Sequence, residues 1–391
     1  MKFIIIFISI FILTGCKEKI NLVSETEDII VNNEIEVYSD IYLNDIITIN
    51  DMELLSENYR INTDELGLRT YEILYSKDKK KYLYKFDIEV VDSTSPKLLS
   101  GTTRTILKGY NKDICDLITY GDNYTGNLKC EIIGNYDVNK IGTYNITYSI
   151  SDDSNNTLNV DGILNVVSRI DNSYTPNNYK TPIKEVYELY KEDNNIVGID
   201  VSEWQGIVDY NKVKESGVEF VLIRIGVQTD DGEPKIDGRY YENIKNAKAA
   251  GLKVGVYLYT LAGSVEEAKE QALWVINKLE GESLDLGITF DWENFKYWNS
   301  YKISFHEINE IANAFMNTAK ENGYGAMLYS SKFYLENVWE NKHNYPVWLA
   351  HYVDYKTDYK GEYKIWQLCS NGLVDGINGF VDFNLLYGSL E

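Results

Sequence analysis

Acidic residues recur where apolar segments stop. Ile196-Val197-Gly198-Ile199 runs into Asp200, Leu286 to Phe290 runs into Asp291-Trp292-Glu293, and Gly379-Phe380-Val381 precedes Asp382. Side chains of a strand alternate between its faces, so residues two apart share a face at roughly 6.5 to 7 Å. On that geometry Asp291 and Glu293 point together and Trp292 points away. Two adjacent carboxyls repel, which raises the pKa of one and leaves a protonated acid beside an ionised carboxylate. This is the division of labour that breaking a bond between two sugars needs: one group protonates the departing oxygen while the other assists at carbon. An Asp-x-Glu pair alone is a weak signal, because exposed strands often carry two acids. Asp200 and Asp382, each at the end of another apolar segment, strengthen it.

Other chemistries find less support. The three histidines, His306, His343 and His351, are scattered through helix, loop and strand contexts. No Cys/His spacing suggests a metal, so neither a zinc site nor a histidine base is expected, and no cofactor is implied. A net charge of −22 disfavours nucleic acid, whose affinity comes mainly from Lys and Arg displacing counterions. With 44% hydrophobic residues and only 5 Pro the chain is of globular type, and 391 residues suggest two or three domains.

The acids need elements to hold them. From Val197 onward the pattern alternates strands with amphipathic helices. Phe220 to Gly226 reads as a buried strand, Tyr240 to Ala250 has helical spacing and stops at Gly251, and Lys253 to Tyr259 is the next strand. Ser264-Val265-Glu266-Glu267 opens a capped helix that ends at Gly281, Leu286 to Asn294 reads as a strand, and Ser304-Phe305-His306-Glu307 opens another helix that ends at Gly323. Gly325 to Ser330, Pro346 to Tyr352, Tyr363 to Leu368 and Val381 to Leu386 follow as strands without long helices between the last of them. Such alternation implies a parallel sheet, and about eight strands favour closure into a barrel whose site lies at the carboxyl ends of the strands.

The first half reads differently. To about Ser168 it is all β, with Gly67-Leu68-Arg69-Thr70-Tyr71 echoed 73 residues on around Gly142-Thr143-Tyr144, a spacing suited to small sandwiches. Ser168 to Asn195 is polar, contains Pro176 and Pro182, and reads as a linker carrying one short helix, Ile183 to Tyr190. Lys2 followed by the apolar run Phe3 to Leu13 is an export signal, too short for a mature membrane span. Export places Cys115 and Cys130 in an oxidising setting where they could pair.

Several stretches resemble known families. Leu13-Thr14-Gly15-Cys16 resembles the lipobox of bacterial lipoproteins, which implies cleavage before Cys16, its acylation, and anchoring to the outer face of the bacterial cell membrane. Asp92-Ser93-Thr94-Ser95-Pro96 and the later Gly-Thr-Tyr and Ser-Asp-Asp sequences resemble tandem bacterial Ig-like modules, which are usually spacers. Gly198 to Gly206, Val254 to Tyr259, Asp291-Trp292-Glu293, Trp348-Leu349-Ala350, and Trp366-Gln367 with Val381 to Asn384 resemble glycoside hydrolase family 25 lysozymes, over about 195 residues. The resemblance implies an irregular TIM-like (β/α)5(β)3 barrel and hydrolysis of the β-1,4 bond between N-acetylmuramic acid and N-acetylglucosamine in peptidoglycan. It assigns Glu293 as general acid, Asp291 as its carboxylate partner, and Asp200 and Asp382 as supporting acids.

Pyranose rings stack on aromatic faces, and their hydroxyls and acetamides need fixed hydrogen-bond partners. Tyr257, Tyr259, Tyr329, Trp348, Tyr352 and Gln367 are therefore the substrate-binding candidates. Leu258 and Glu203 depart from the family pattern. The expected layout is a lipoprotein signal over 1–15, a lipidated tether over 16–25, Ig-like β domains over 26–92 and 93–168, a linker over 169–195 and the catalytic barrel over 196–391. The alternative is an inactive or weakly active barrel that binds cell wall as a lectin or adhesin.

Overall fold

The computed structural model describes residues 20–23, 29–170, 179–229, 232–340 and 345–388. Cys16 and the expected export signal lie outside the described residues, as does His343. The chain divides into two compact units, residues up to Thr94 and residues from Ser95.

In the first unit, strands Gly67–Lys77 and Lys80–Val91 form an antiparallel hairpin within a five-stranded sheet. Ile73 and Tyr75 on one strand, and Phe86, Ile88 and Val90 on the other, are buried at every second position, the mark of a sheet with one face packed. Ile29–Val31 and Ile47–Ile49 pair as a second, two-stranded sheet.

The second unit begins with a similar hairpin, Gly142–Ser151 against Thr157–Val167, flanked by Lys129–Ile133 and Thr103–Leu107. The sequence echo thus falls on the first strand of each hairpin. Its tyrosines Tyr75 and Tyr148 are both buried. A disulfide joins Cys115 to Cys130, tying a 3₁₀ turn at Cys115–Leu117 to the flanking strand. Both units contain small β-sheet modules; their Ig-like character rests on the sequence motifs.

The remainder of the second unit is an eight-stranded barrel. Its strands are β1 (Asn195–Val201), β2 (Phe220–Val227), β3 (Lys253–Tyr259), β4 (Ile288–Asp291), β5 (Ala326–Ser331), β6 (Val347–Ala350), β7 (Ile365–Leu373) and β8 (Val381–Tyr387). Neighbours from β1 to β7 run parallel, while β8 pairs antiparallel with both β7 and β1 and closes the ring. Helices Tyr210–Glu215, Tyr240–Ala249, Val265–Leu279, Phe305–Glu321 and Lys332–Asn337 follow β1 to β5 in turn, and no helix follows β6 or β7. Local chemistry sets the helix ends. Ser304 Oγ accepts the Glu307 amide at 3.1 Å while the Glu307 carboxylate accepts the Ser304 amide at 2.6 Å, a reciprocal cap.

Two cores result from strand alternation. Phe220, Leu222, Met327, Trp348, Ile365 and Leu386 fill the barrel interior. The opposite faces of the same strands pack under the helices, for example Val221, Ile223, Phe290 and Leu349 against Ala268, Val275 and Phe315. Two expectations change. The segment expected as a linker is partly built into the barrel: Thr181–Pro182 pairs with β7, and helix Ile183–Leu189 buries Val186 in the outer core. The strand expected over Leu286 to Asn294 spans only Ile288–Asp291, because the chain turns at Trp292 into an aromatic-rich 3₁₀ helix, Asn294–Tyr297.

Candidate active site

Parallel strands leave their carboxyl ends at one rim of the barrel, and four acids meet there. Asp200 comes from β1, Asp291 ends β4, Glu293 lies two residues further, and Asp382 is on β8. Asp200 pairs in register with Asp382, and Asp291 lies beside Tyr259 of β3 and Tyr329 of β5. Glu293 is not on the strand. It caps the 3₁₀ helix with φ −123° and ψ 3°, so its carboxyl is aimed by the turn and not by strand alternation.

A buried hydrogen-bond network holds Asp200. Its Oδ2 accepts from Gln367 Nε2 at 2.9 Å and from Asn384 Nδ2 at 2.7 Å. Asn384 Oδ1 in turn accepts from Trp348 Nε1 at 2.7 Å. Gln367 Oε1 accepts the hydroxyls of Tyr329 at 2.9 Å and Tyr352 at 2.8 Å. Side chains from β5, β6, β7 and β8 thereby fix the Asp200 carboxylate of β1, and such connected buried networks hold a unique geometry. Asp291 differs. It is buried, and among the described residues its Oδ1 has no hydrogen-bond partner. Nearby on β2, Arg224 reaches Asp237 at 2.8 Å and Glu203 at 3.3 Å, a cation anchored beside the acids.

Burial shifts all four carboxyls upward, and mutual repulsion adds to it at Asp200, Asp291 and Asp382. Asp291 is raised well above the ordinary range by desolvation, then by the charges of Glu293 and Asp200, with Arg224 opposing. Asp200 is raised by burial and then by Asp382, against the stabilising hydrogen bonds of Asn384 and Gln367. Asp382 is pushed up to about 7, by desolvation first and by Glu293. Glu293 is exposed as a residue, yet protein atoms crowd its carboxyl and raise its pKa, with the Tyr329 hydroxyl acting in the other direction. Burial thus favours the protonated form across the group, and Glu293 is its most exposed member, with Asp382 partly exposed.

Residues 199–377 match the family model for glycosyl hydrolases family 25. The barrel is similar to family 25 glycosyl hydrolases over most of its length. An autolytic lysozyme of Clostridium acetobutylicum is 31% identical over 188 residues, which are 48% of this chain and 54% of that one. The chain therefore spans about half the length of that relative. The uncharacterized protein YegX of Escherichia coli K12 is 29% identical over 214 residues, 54% of this chain and 76% of its own. Among solved structures, the modular autolysin LytC from Streptococcus pneumoniae, in complex with a synthetic peptidoglycan ligand, is 28% identical with a TM-score of 0.44, covering 62% of this chain and 56% of that one.

Within this barrel the expected binding residues divide by position. Tyr352, just beyond β6, is 52% exposed while its hydroxyl reaches Gln367. Tyr257 and Tyr259 sit on β3 next to the acids, both half-buried, with Tyr257 edge-on to Trp348 at 5.7 Å. Trp348 was expected to stack on sugar but is 1% exposed, so it serves as floor and as donor to Asn384. Gln367 is buried, with its amide nitrogen and oxygen engaged by Asp200 and two tyrosines, and holds the acids in place. Two contributors were missed as site residues. Asn384 follows Asp382 by two positions on β8 and so shares its face, and Arg224 is the lone charge in an otherwise apolar strand; both signals were in the sequence.

A carboxyl whose pKa rises on folding binds its proton more tightly in the native state, so its contribution to stability declines as pH rises from the unfolded toward the folded value. For Asp382 that window runs from 3.8 to about 7. Asp382→Asn is expected to raise the melting temperature by several degrees at pH 8 and to leave it unchanged at pH 3. Thermal unfolding at the two pH values checks this, and an equal or lower melting temperature for the variant at pH 8 would contradict it.

Proposed function

We propose that the protein is a peptidoglycan hydrolase, a muramidase that cleaves the β-1,4 bond between N-acetylmuramic acid and N-acetylglucosamine. The reading is carried by one observation: Asp291 and Glu293 crowd with two further acids at the strand ends of a barrel that matches family 25. Glu293, whose crowded surroundings favour its protonated form and which is exposed to solvent, hands its proton to the glycosidic oxygen as the bond to the anomeric carbon breaks. Asp291 supplies negative charge opposite the developing oxocarbenium ion, either directly or through the substrate's acetamide. Water completes the reaction by adding hydroxide to the anomeric carbon and returning a proton to Glu293. Asp200 and Asp382 raise the proton affinity of the group, and Tyr257, Tyr259 and Tyr352 line the approach.

The test is incubation of the full chain with purified cell walls. New reducing ends, with N-acetylmuramic acid at the reducing terminus of the fragments by mass spectrometry, are expected. Wall binding without new reducing ends would replace this reading with a lectin or adhesin. We further propose, from the lipobox resemblance, that the enzyme works while anchored through acylated Cys16 on the outer face of the membrane. Cys16→Ala is then expected to move the protein from the membrane fraction to the medium, and retention of that variant in the membrane would refute the anchor.

A further inference from the structure

The segment that carries Glu293 does not stand on the barrel alone. After Glu293 the chain forms the 3₁₀ helix Asn294–Tyr297, the single helical turn Trp298–Tyr301, and then the capped helix Phe305–Glu321. On its inner side this segment packs on Trp292, the fully buried residue between the two acids. Trp292 meets Phe295 at 4.8 Å, Tyr301 at 5.3 Å and Trp298 at 5.7 Å. On its outer side lies the β module of the same compact unit. Asn299 accepts the Tyr120 amide at 3.2 Å and donates to the Ile118 carbonyl at 3.0 Å, and the Phe305 amide donates to the Asp122 carbonyl at 2.7 Å. Leu99 of the module is buried in the same core as Trp292 and Trp298. The seam is tight at two glycines: a β-carbon at Gly126 would overlap the Lys302 carbonyl, and one at Gly121 would overlap the Phe305 ring.

We propose that the β module of residues 95–168 is a positioning element for catalysis, which clamps the 294–304 segment and through Trp298 and Trp292 fixes where Glu293 stands. Its sequence expectation was that of a spacer. The physical reason for a larger role is that Glu293 lies beyond the strand, on a turn whose few backbone hydrogen bonds do not restrain it as a sheet would. An external clamp restores that restraint, and small displacements of a proton donor are costly: about 1 Å of misplacement lowers a rate by on the order of 100-fold. Main-chain groups of the module take part in the clamp, so their register, itself held by the Cys115 to Cys130 disulfide, is part of the same device.

The inference rests on the reading of Glu293 as proton donor, and its test uses the full chain with a soluble peptidoglycan oligomer. Asn299→Ala removes the clamp from the barrel side and Gly126→Ala forces the seam open from the module side. Each is expected to lower kcat about 10-fold with KM unchanged. The double variant is expected to fall no further than the more damaged single, because both cut one connection. Thr143→Ala, whose hydroxyl lies on an exposed hydrogen bond to Asn165 elsewhere in the module, is expected to keep wild-type kcat. Thermal unfolding confirms that each variant is folded at the assay temperature; should Gly126→Ala unfold, Asn299→Ala carries the test. Unchanged kcat in the folded seam variants overturns the proposal. So does a rise in KM with kcat intact, which would make the 340 Å³ cleft along the seam, lined by Tyr120, Asn299 and Lys302, a substrate-binding surface. A wild-type protein that releases no reducing ends fails the muramidase reading instead, and is told apart from either result by that baseline.

Discussion

Glu293→Gln is expected to lower kcat on peptidoglycan by about 1,000-fold, within the range of roughly 10² to 10⁴ typical for loss of a general acid. The substitution keeps size and hydrogen-bonding shape but removes the transferable proton. Because Glu293 is exposed to solvent and is not a core residue, the fold should survive, and substrate binding with it. KM is therefore expected to stay within a few fold of wild type. Release of reducing ends from purified walls is the measurement. A variant that retains more than a tenth of wild-type kcat would remove Glu293 from the role of proton donor and return that role to the other acids.

Asp291→Asn is expected to separate activity from stability. The carboxyl is buried and crowded by Glu293 and Asp200, which holds its proton affinity far above that of an exposed aspartate. By the same linkage, its ionised form destabilises the native barrel at neutral pH, so the neutral amide should raise the melting temperature at pH 7 and above. Catalysis needs the opposite. Without a negative charge opposite the developing positive charge, kcat is expected to fall by about 100-fold or more, the order of magnitude for removal of one preorganised electrostatic partner. An Asp291→Asn enzyme with near-wild-type kcat would show that its charge is not used, and a lower melting temperature at pH 8 would show that the carboxylate is paired in a way the buried, unpartnered Oδ1 does not suggest. Opposed changes of this kind are common where function keeps strained or repelling groups together.

Both predictions depend on how the acids are placed, and that was legible to different depths. The residues themselves stood out because period-2 alternation and chain turns are local events. Asp200 and Asp291 close apolar strands, Asp382 follows the first residue of another, and the helices between them are announced by Ser264 and Ser304 at their starts and glycines at their ends. The spacing argument for Glu293 was less secure. Alternation predicted that it would share a face with Asp291 along a strand, whereas the strand stops at Asp291 and the pair meets across a turn. The turn is held by Trp292, Phe295 and Trp298 packing on one another, and this packing overrides the strand preference that aromatic residues otherwise carry, which depends strongly on context.

The tandem β echo, the alternation of strands and helices, the caps and the acids each depend on neighbours a few residues away, and these could be read from residue order. Closure of the barrel by an antiparallel β8, the hold of Gln367 and Asn384 on Asp200, and the seating of the β module on the segment after Glu293 could not. Those features join residues 167, 184 and 181 positions apart. No local propensity encodes such pairings. They follow from which packing buries the most apolar surface while leaving each buried polar group a partner, and that choice is made only when the whole unit folds.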